Sequence, residues 1–116
     1  INDQYGHNAG DFVLSQLATS FNELIRQQDT VARWGGEEFL FVLPQTNADN
    51  ALVIAEKIRN QIQNTPLHYQ QSTIEVTISL GIAEFDSQSE IDDVINQADK
   101  HLYLAKEEGR NCSKVS

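Results

Sequence analysis

Two β-like runs, Thr30 to Trp34 and Glu37 to Leu43, are separated by Gly35-Gly36 alone. Tight hairpin turns demand positive φ, which glycine adopts without steric cost, so this spacing predicts an antiparallel hairpin. On the second run Phe39, Phe41 and Leu43 point one way, while Leu40 and Val42 point the other. Apolar side chains on both faces predict a strand inside a sheet that is covered on both sides. Pro44 ends it.

Around this hairpin the apolar period switches between helix and strand. Asp11 to Gln28 reads as a helix with Leu14, Leu17, Ala18, Phe21, Leu24 and Ile25 on one face, and Gly10-Asp11 puts an acid at its positive end. Thr46 to Asn64 reads as a second helix, capped by Thr46-Asn47-Ala48-Asp49, with Ala51, Leu52, Ala55, Ile58 and Ile62 inward. Ile74 to Phe85 reads as a long strand. Ser89 to Glu108 reads as a third helix with Ile91, Val94, Ile95, Ala98, Leu102 and Ala105 inward, and Gly109 suits its end. Asn111 to Val115 reads as a short last strand. Helices alternating with strands predict an α/β (α+β) fold, with a single central β-sheet flanked by helices.

The chain has 116 residues, enough for one domain. Eight basic residues face seventeen acidic ones, a net charge of −9. That balance argues against a nucleic-acid surface, which needs net basic character. It leaves room for an anionic ligand held by a metal and a few local cations. The single cysteine, Cys112, excludes an internal disulfide framework. No apolar run approaches the roughly 20 residues of a membrane helix, and Ile1-Asn2-Asp3 starts no signal-peptide pattern.

The strongest candidate for chemistry is Gly35-Gly36-Glu37-Glu38-Phe39. A glycine pair lets phosphates approach the backbone closely. Two carboxylates after the turn fall on opposite faces of the strand, and a hard cation such as Mg²⁺ takes one or two carboxylates together with phosphate oxygens. A solvated hairpin tip with two surface acids fits the same five residues. Lys106 and Arg110 stand four apart around a helix end, where they can converge on an anion or simply complement the helix dipole. Arg26 and Asp29 fit either a ligand site or an i, i+3 ion pair.

Gly35-Gly36-Glu37-Glu38-Phe39 resembles the signature of the GGDEF diguanylate cyclase domains. So do Ile1-Asn2-Asp3-Gln4-Tyr5-Gly6-His7 with Gly10-Asp11, Arg26-Gln27-Gln28-Asp29, Ser79-Leu80-Gly81-Ile82-Ala83, and Ala98-Asp99 through Tyr103, Ala105-Lys106 and Gly109-Arg110-Asn111. The matches run in order from residue 1 to about residue 111. The resemblance implies a palm-like fold of the nucleotide-cyclase and polymerase kind. It implies condensation of two GTP into cyclic di-GMP and two pyrophosphates by a symmetric homodimer, with Mg²⁺, or Mn²⁺ in its place, as cofactor.

The resemblance also implies roles for single residues. Asn2 and Asp11 would read guanine, whose N1–H and N2–H₂ donate and whose O6 accepts. His7, Gly35 and Gly36 would lie at the nucleotide. Lys106 and Arg110 would hold phosphates. Glu37 would be the catalytic acid and a metal ligand, with Glu38 the second ligand. Arg26 and Asp29 would form the inhibitory product site, with Lys57 where the family usually has arginine; lysine lacks the bidentate fork, so inhibition would be weaker.

Residues 1–116 then correspond to an N-terminally incomplete GGDEF domain, without the family's upstream helix and first strand, whose aspartate shares the metals. This predicts that the chain alone is inactive while the intact protein is a cytoplasmic cyclase domain, tethered to a membrane, if at all, only through absent N-terminal regions. A catalytically silent domain that binds cyclic di-GMP or GTP as a regulatory module is the alternative.

Overall fold

The computed structural model describes residues 7–115. Asn2 lies outside the described residues, as does the side chain of His7. The elements, in chain order, are α1 (His7–Leu24), β1 (Thr30–Gly35), β2 (Glu38–Val42), α2 (Ala48–Gln63), β3 (Leu67–Tyr69), β4 (Ser72–Ile74), β5 (Leu80–Ile82), α3 (Ile91–Glu107) and β6 (Ser113–Val115). The mixed helix-and-strand class is the one expected. Among the described residues the strands pair as three two-stranded ladders, β1 with β2, β3 with β4, and β5 with β6. The chain forms two compact units, Ile1–Pro44 with Ile62–Val76, and Gln45–Gln61 with Thr77–Ser116.

In the first unit α1 packs on β1 and β3. Ala9, Val13, Leu17 and Phe21, each four residues apart, are buried along one stripe. Phe21 is the anchor: its ring meets Phe39 at 5.1 Å and Phe41 at 5.0 Å, both edge-on, a favoured aromatic geometry. Phe12 packs on Tyr69 of β3 at 5.0 Å. β1 and β2 run antiparallel, with Thr30 opposite Val42 and Arg33 opposite Phe39. Phe39, Leu40 and Phe41 are half-buried, so β2 is only partly covered.

α1 begins at His7 rather than at Asp11. Asp11 therefore sits one turn inside the helix and is not its cap. The helix also stops early. Ile25 N–H makes a final bond to Phe21 O at 3.2 Å, and then Asp29 N–H reaches Arg26 O at 3.0 Å, a turn that reverses the chain into β1.

In the second unit α3 packs on β5 and β6, a parallel pair. Gly81 of β5 makes this possible. A Cβ placed there would collide with Ala98 O and with the Leu102 backbone, so the helix rests directly on the strand. His101, buried on α3, uses Nδ1 to bond Ile82 O at 2.5 Å. α2 starts as its sequence suggests, with Asn50 N–H donating to Asn47 Oδ1 at 2.8 Å. Ala48 N–H donates to Glu84 Oε1 at 2.8 Å. Ala51, Ala55 and Ile58 are buried along α2, while Ile91, the first residue of α3, stands 60% exposed.

Of the long strand expected over Ile74 to Phe85 only β5 forms within the span, with Ile74 ending β4 and residues 75–79 lying between them. β3 was not expected. Its hairpin to β4 turns through Gln70, at φ 55°, a conformation sequence patterns assign to glycine or asparagine.

Candidate functional site

The β1–β2 hairpin closes one residue later than the glycine pair suggests. Gly35 pairs with Glu38, so Gly36 and Glu37 are the two residues of the turn. Gly36 takes φ +51° at the first turn position. The register slips between Arg33 and Gly35, leaving Trp34 as a bulge without a cross-strand partner. This corrects the placement of the two acids. Glu37 stands on the turn itself and Glu38 opens β2, so they do not alternate along one strand. Both are exposed, and no atom would lie within 4 Å of a Cβ on Gly35 or Gly36, so the tip is open to a ligand.

Arg33 braces that tip. Its Nε and Nη2 donate to Gly36 O at 2.8 and 2.6 Å. A planar guanidinium gripping one carbonyl with two N–H groups fixes both the distance and the plane of the turn. No local sequence pattern marks Arg33 for this role. The signal was its position three residues before Gly36 on a strand that turns back immediately.

Beside the hairpin a cavity of about 250 Å³ opens between α1 and β1. Asp11, Ser15 and Asn22 line it from the helix, and Arg33 and Phe39 line it from the strands. Asp11 and Arg33 thus line one concave surface, which brings a carboxylate and a guanidinium to the same cavity. The described residues contain no group of three or more His, Cys, Asp or Glu side chains able to hold a metal by themselves. Glu37 and Glu38 at the tip would still suit a hard cation such as Mg²⁺, which needs only one or two carboxylates and completes its shell with other oxygens and water.

Arg26 and Asp29 form a closed pair at the end of α1. Asp29 Oδ2 accepts from Arg26 N–H at 2.9 Å and from Nε at 2.8 Å, while Oδ1 accepts from Nη2 at 2.7 Å. The Asp29 side chain is 0% exposed and that of Arg26 is 38% exposed. Arg26's hydrogen bonds hold the Asp29 carboxyl below its ordinary range, and the same bonds raise Arg26.

In the second unit Lys106 closes α3 and Arg110 lies beyond it. Gly109, Arg110 and Asn111 follow one another at φ 108°, 64° and 50°. Arg110 is therefore off the helix, and helical i, i+4 spacing does not bring it to Lys106. Lys57 is exposed on α2. A residue that sequence reasoning passed over, Arg59, holds the loop. Its Nη1 donates to Asn111 O at 3.2 Å and to Asn111 Oδ1 at 2.9 Å. Its Nε and Nη2 grip Glu56 at 2.8 and 2.7 Å. That fork lowers the Glu56 carboxyl and raises Arg59.

The sequence profile of the family described as "Diguanylate cyclase, GGDEF domain" matches residues 1–112. Diguanylate cyclase A of Treponema denticola is 42% identical over 117 residues, covering 100% of this chain and 32% of that protein. The chain thus spans about a third of that relative. Among solved structures, diguanylate cyclase SiaD of Pseudomonas aeruginosa, crystallised with its activator SiaC, superposes with a TM-score of 0.94 at 34% identity, covering 100% of this chain and 45% of that one. The GGDEF domain of DgcB from Caulobacter crescentus, in complex with c-di-GMP, gives 0.91 at 30% identity, covering 98% and 68%. No described helix is long and apolar enough to cross a membrane.

Proposed function

Because this chain belongs to the GGDEF diguanylate cyclase domain family, we propose that it carries the GTP-binding half-site of a cyclase that joins two GTP into cyclic di-GMP. Two such domains face each other with two-fold symmetry, each holding one GTP. The 3′-oxygen of each nucleotide attacks the α-phosphorus of the other, and each attack releases one pyrophosphate. Two new phosphodiester bonds form as two phosphoanhydride bonds break.

The open tip at Gly36-Glu37, braced by Arg33, is the observation that supports this best. Backbone free of side chains lets a triphosphate lie against the turn. Glu37 reaches the same place with a carboxylate that accepts the proton of the attacking hydroxyl. Glu37 and Glu38 are the residues that would hold Mg²⁺, or Mn²⁺ in its place, which supplies charge neutralisation to the phosphates. Asp11, with Asn2 beyond the described residues, accepts from the guanine donors, and His7 lies near the nucleotide. Lys106 and Arg110 take phosphate oxygens.

Arg26 is read as the ligand-facing member of a product-binding inhibitory site, with Lys57 as a weaker third partner. The GGDEF domain of DgcB was crystallised in complex with c-di-GMP, which supports binding of that dinucleotide by this kind of domain. Asp29, whose carboxylate is covered by Arg26 in this structure, completes that site and orients Arg26. The protein is read as cytoplasmic at this domain.

The test is production of cyclic di-GMP from GTP and Mg²⁺ by the intact protein. Replacing Glu37 by Gln is expected to lower turnover by about 10²–10⁴-fold, the usual contribution of a general base, while cyclic di-GMP binding at Arg26 persists. An intact protein with no affinity for GTP would refute the reading.

A further inference from the structure

The loop after α3 holds Arg110 in a conformation that a residue with a long side chain rarely chooses. Left-handed φ costs roughly 1–2 kcal/mol for such a residue and less for asparagine, and Arg110 and Asn111 stand side by side in it behind Gly109. Such backbone persists only where the surroundings over-determine it. Here they do, from three sides. Arg110 N–H donates to Ala105 O at 3.0 Å, closing the helix end. Asn111 N–H donates to Ser79 Oγ at 3.0 Å. Arg59 takes both the carbonyl and the side-chain oxygen of Asn111.

Arg59 is itself fixed. Its side chain is only 14% exposed, and the two-point bond to Glu56 fixes the plane of its guanidinium. Helix α2 thus reaches across 52 residues of sequence to clamp the residue next to Arg110. Arg110 itself is exposed. A flexible arginine on a free loop would lose side-chain and backbone entropy on gripping a phosphate. On a clamped loop the backbone part of that cost is already met in folding.

From this we infer that Arg59 is a positioning residue for Arg110. It acts through Asn111, holding the left-handed segment Gly109–Asn111 so that the Arg110 guanidinium is presented to an anionic phosphate group. The inference rests on the proposed function, in which that phosphate belongs to GTP.

The experiment is a double-substitution cycle in the intact protein. Binding of α,β-methylene GTP, which cannot be cyclised, is measured by titration calorimetry with Mg²⁺ for wild type, Arg59→Gln, Arg110→Ala and the pair together. Arg59→Gln is expected to weaken binding by about tenfold, and the pair to bind no worse than Arg110→Ala alone, because residues acting through one another are not additive. Cyclic di-GMP affinity, read in the same samples, is expected to be unchanged, which excludes general unfolding.

Losses that multiply in the pair, or an Arg59→Gln protein that binds as wild type, overturn the inference. Should Arg59→Gln not fold, Asn111→Gly carries the same cycle. It keeps the left-handed backbone and removes the Oδ1 bond, and a loss of about threefold that vanishes in the Arg110→Ala background is expected. A threefold loss that persists there overturns the inference equally. A wild-type protein that does not bind the analogue refutes the function itself, whereas binding with multiplicative losses refutes only the role of Arg59.

Discussion

Arg33 and Gly36 are joined by two hydrogen bonds from one guanidinium to one carbonyl, at 2.8 and 2.6 Å, across the mouth of the β1–β2 turn. This contact holds the turn that carries Glu37. Replacing Arg33 by Ala is therefore expected to lower kcat/KM for GTP by about 10–100-fold, the cost of a misplaced catalytic group. Arg33→Lys, with a single ammonium in place of the fork, should recover only part of it. On the proposed function, initial rates of cyclic di-GMP formation by the intact protein check both.

The two glycines of the tip are not equivalent. Gly36 needs φ +51°, whereas Gly35 has an ordinary φ and open space around it. Gly36→Ala is expected to cost about 1 kcal/mol, a fall of roughly 4 °C in Tm, and Gly35→Ala close to nothing. Thermal unfolding of the two variants gives the comparison directly.

Gly81 is the opposite case. It has ordinary φ, but an added Cβ meets the backbone of α3 at Ala98 and Leu102. Backbone cannot swing aside as a side chain can, so Gly81→Ala is expected to destabilise by about 3 kcal/mol, at the upper end of overpacking effects. Chemical denaturation would show it as a lower midpoint with an unchanged slope.

The Asp29 carboxyl is held below its ordinary value of 3.8 by the hydrogen bonds from Arg26. A depressed folded-state pKa means stability that is fully present above the unfolded value and is lost as the pH falls through the folded one. Asp29→Asn is therefore expected to be less stable than wild type at about pH 7, with the gap closing as the pH is lowered towards about 2. Urea midpoints across that range measure it. A gap that stays constant would mean the pair contributes no charge-dependent stability.

Two local signals in the sequence have their counterparts in the structure. The hairpin at Gly35-Gly36 and the Asn47 cap depend on neighbours a few residues away, and both are present. What was missed depends on strand register, backbone turns and burial, which residue spacing does not carry. The slip at Trp34 is set by how β1 meets β2, so the turn moved by one residue and Glu37 with it. Helical spacing suggested that Lys106 and Arg110 share a face, but the chain leaves the helix at Glu107 and turns left-handed. Arg59 carries no local signal of its role, because its partner Asn111 lies 52 residues further on. Arg26 and Asp29 were visible as a pair, but not the complete burial of the carboxylate.

The bulge at Trp34 has a practical consequence for observing this site. Trp34 is the only tryptophan in the sequence, it is 56% exposed, and it stands two residues from the turn glycine. Its indole emission is thus an intrinsic optical reporter of the hairpin tip, sensitive to anything that settles there and needing no attached dye.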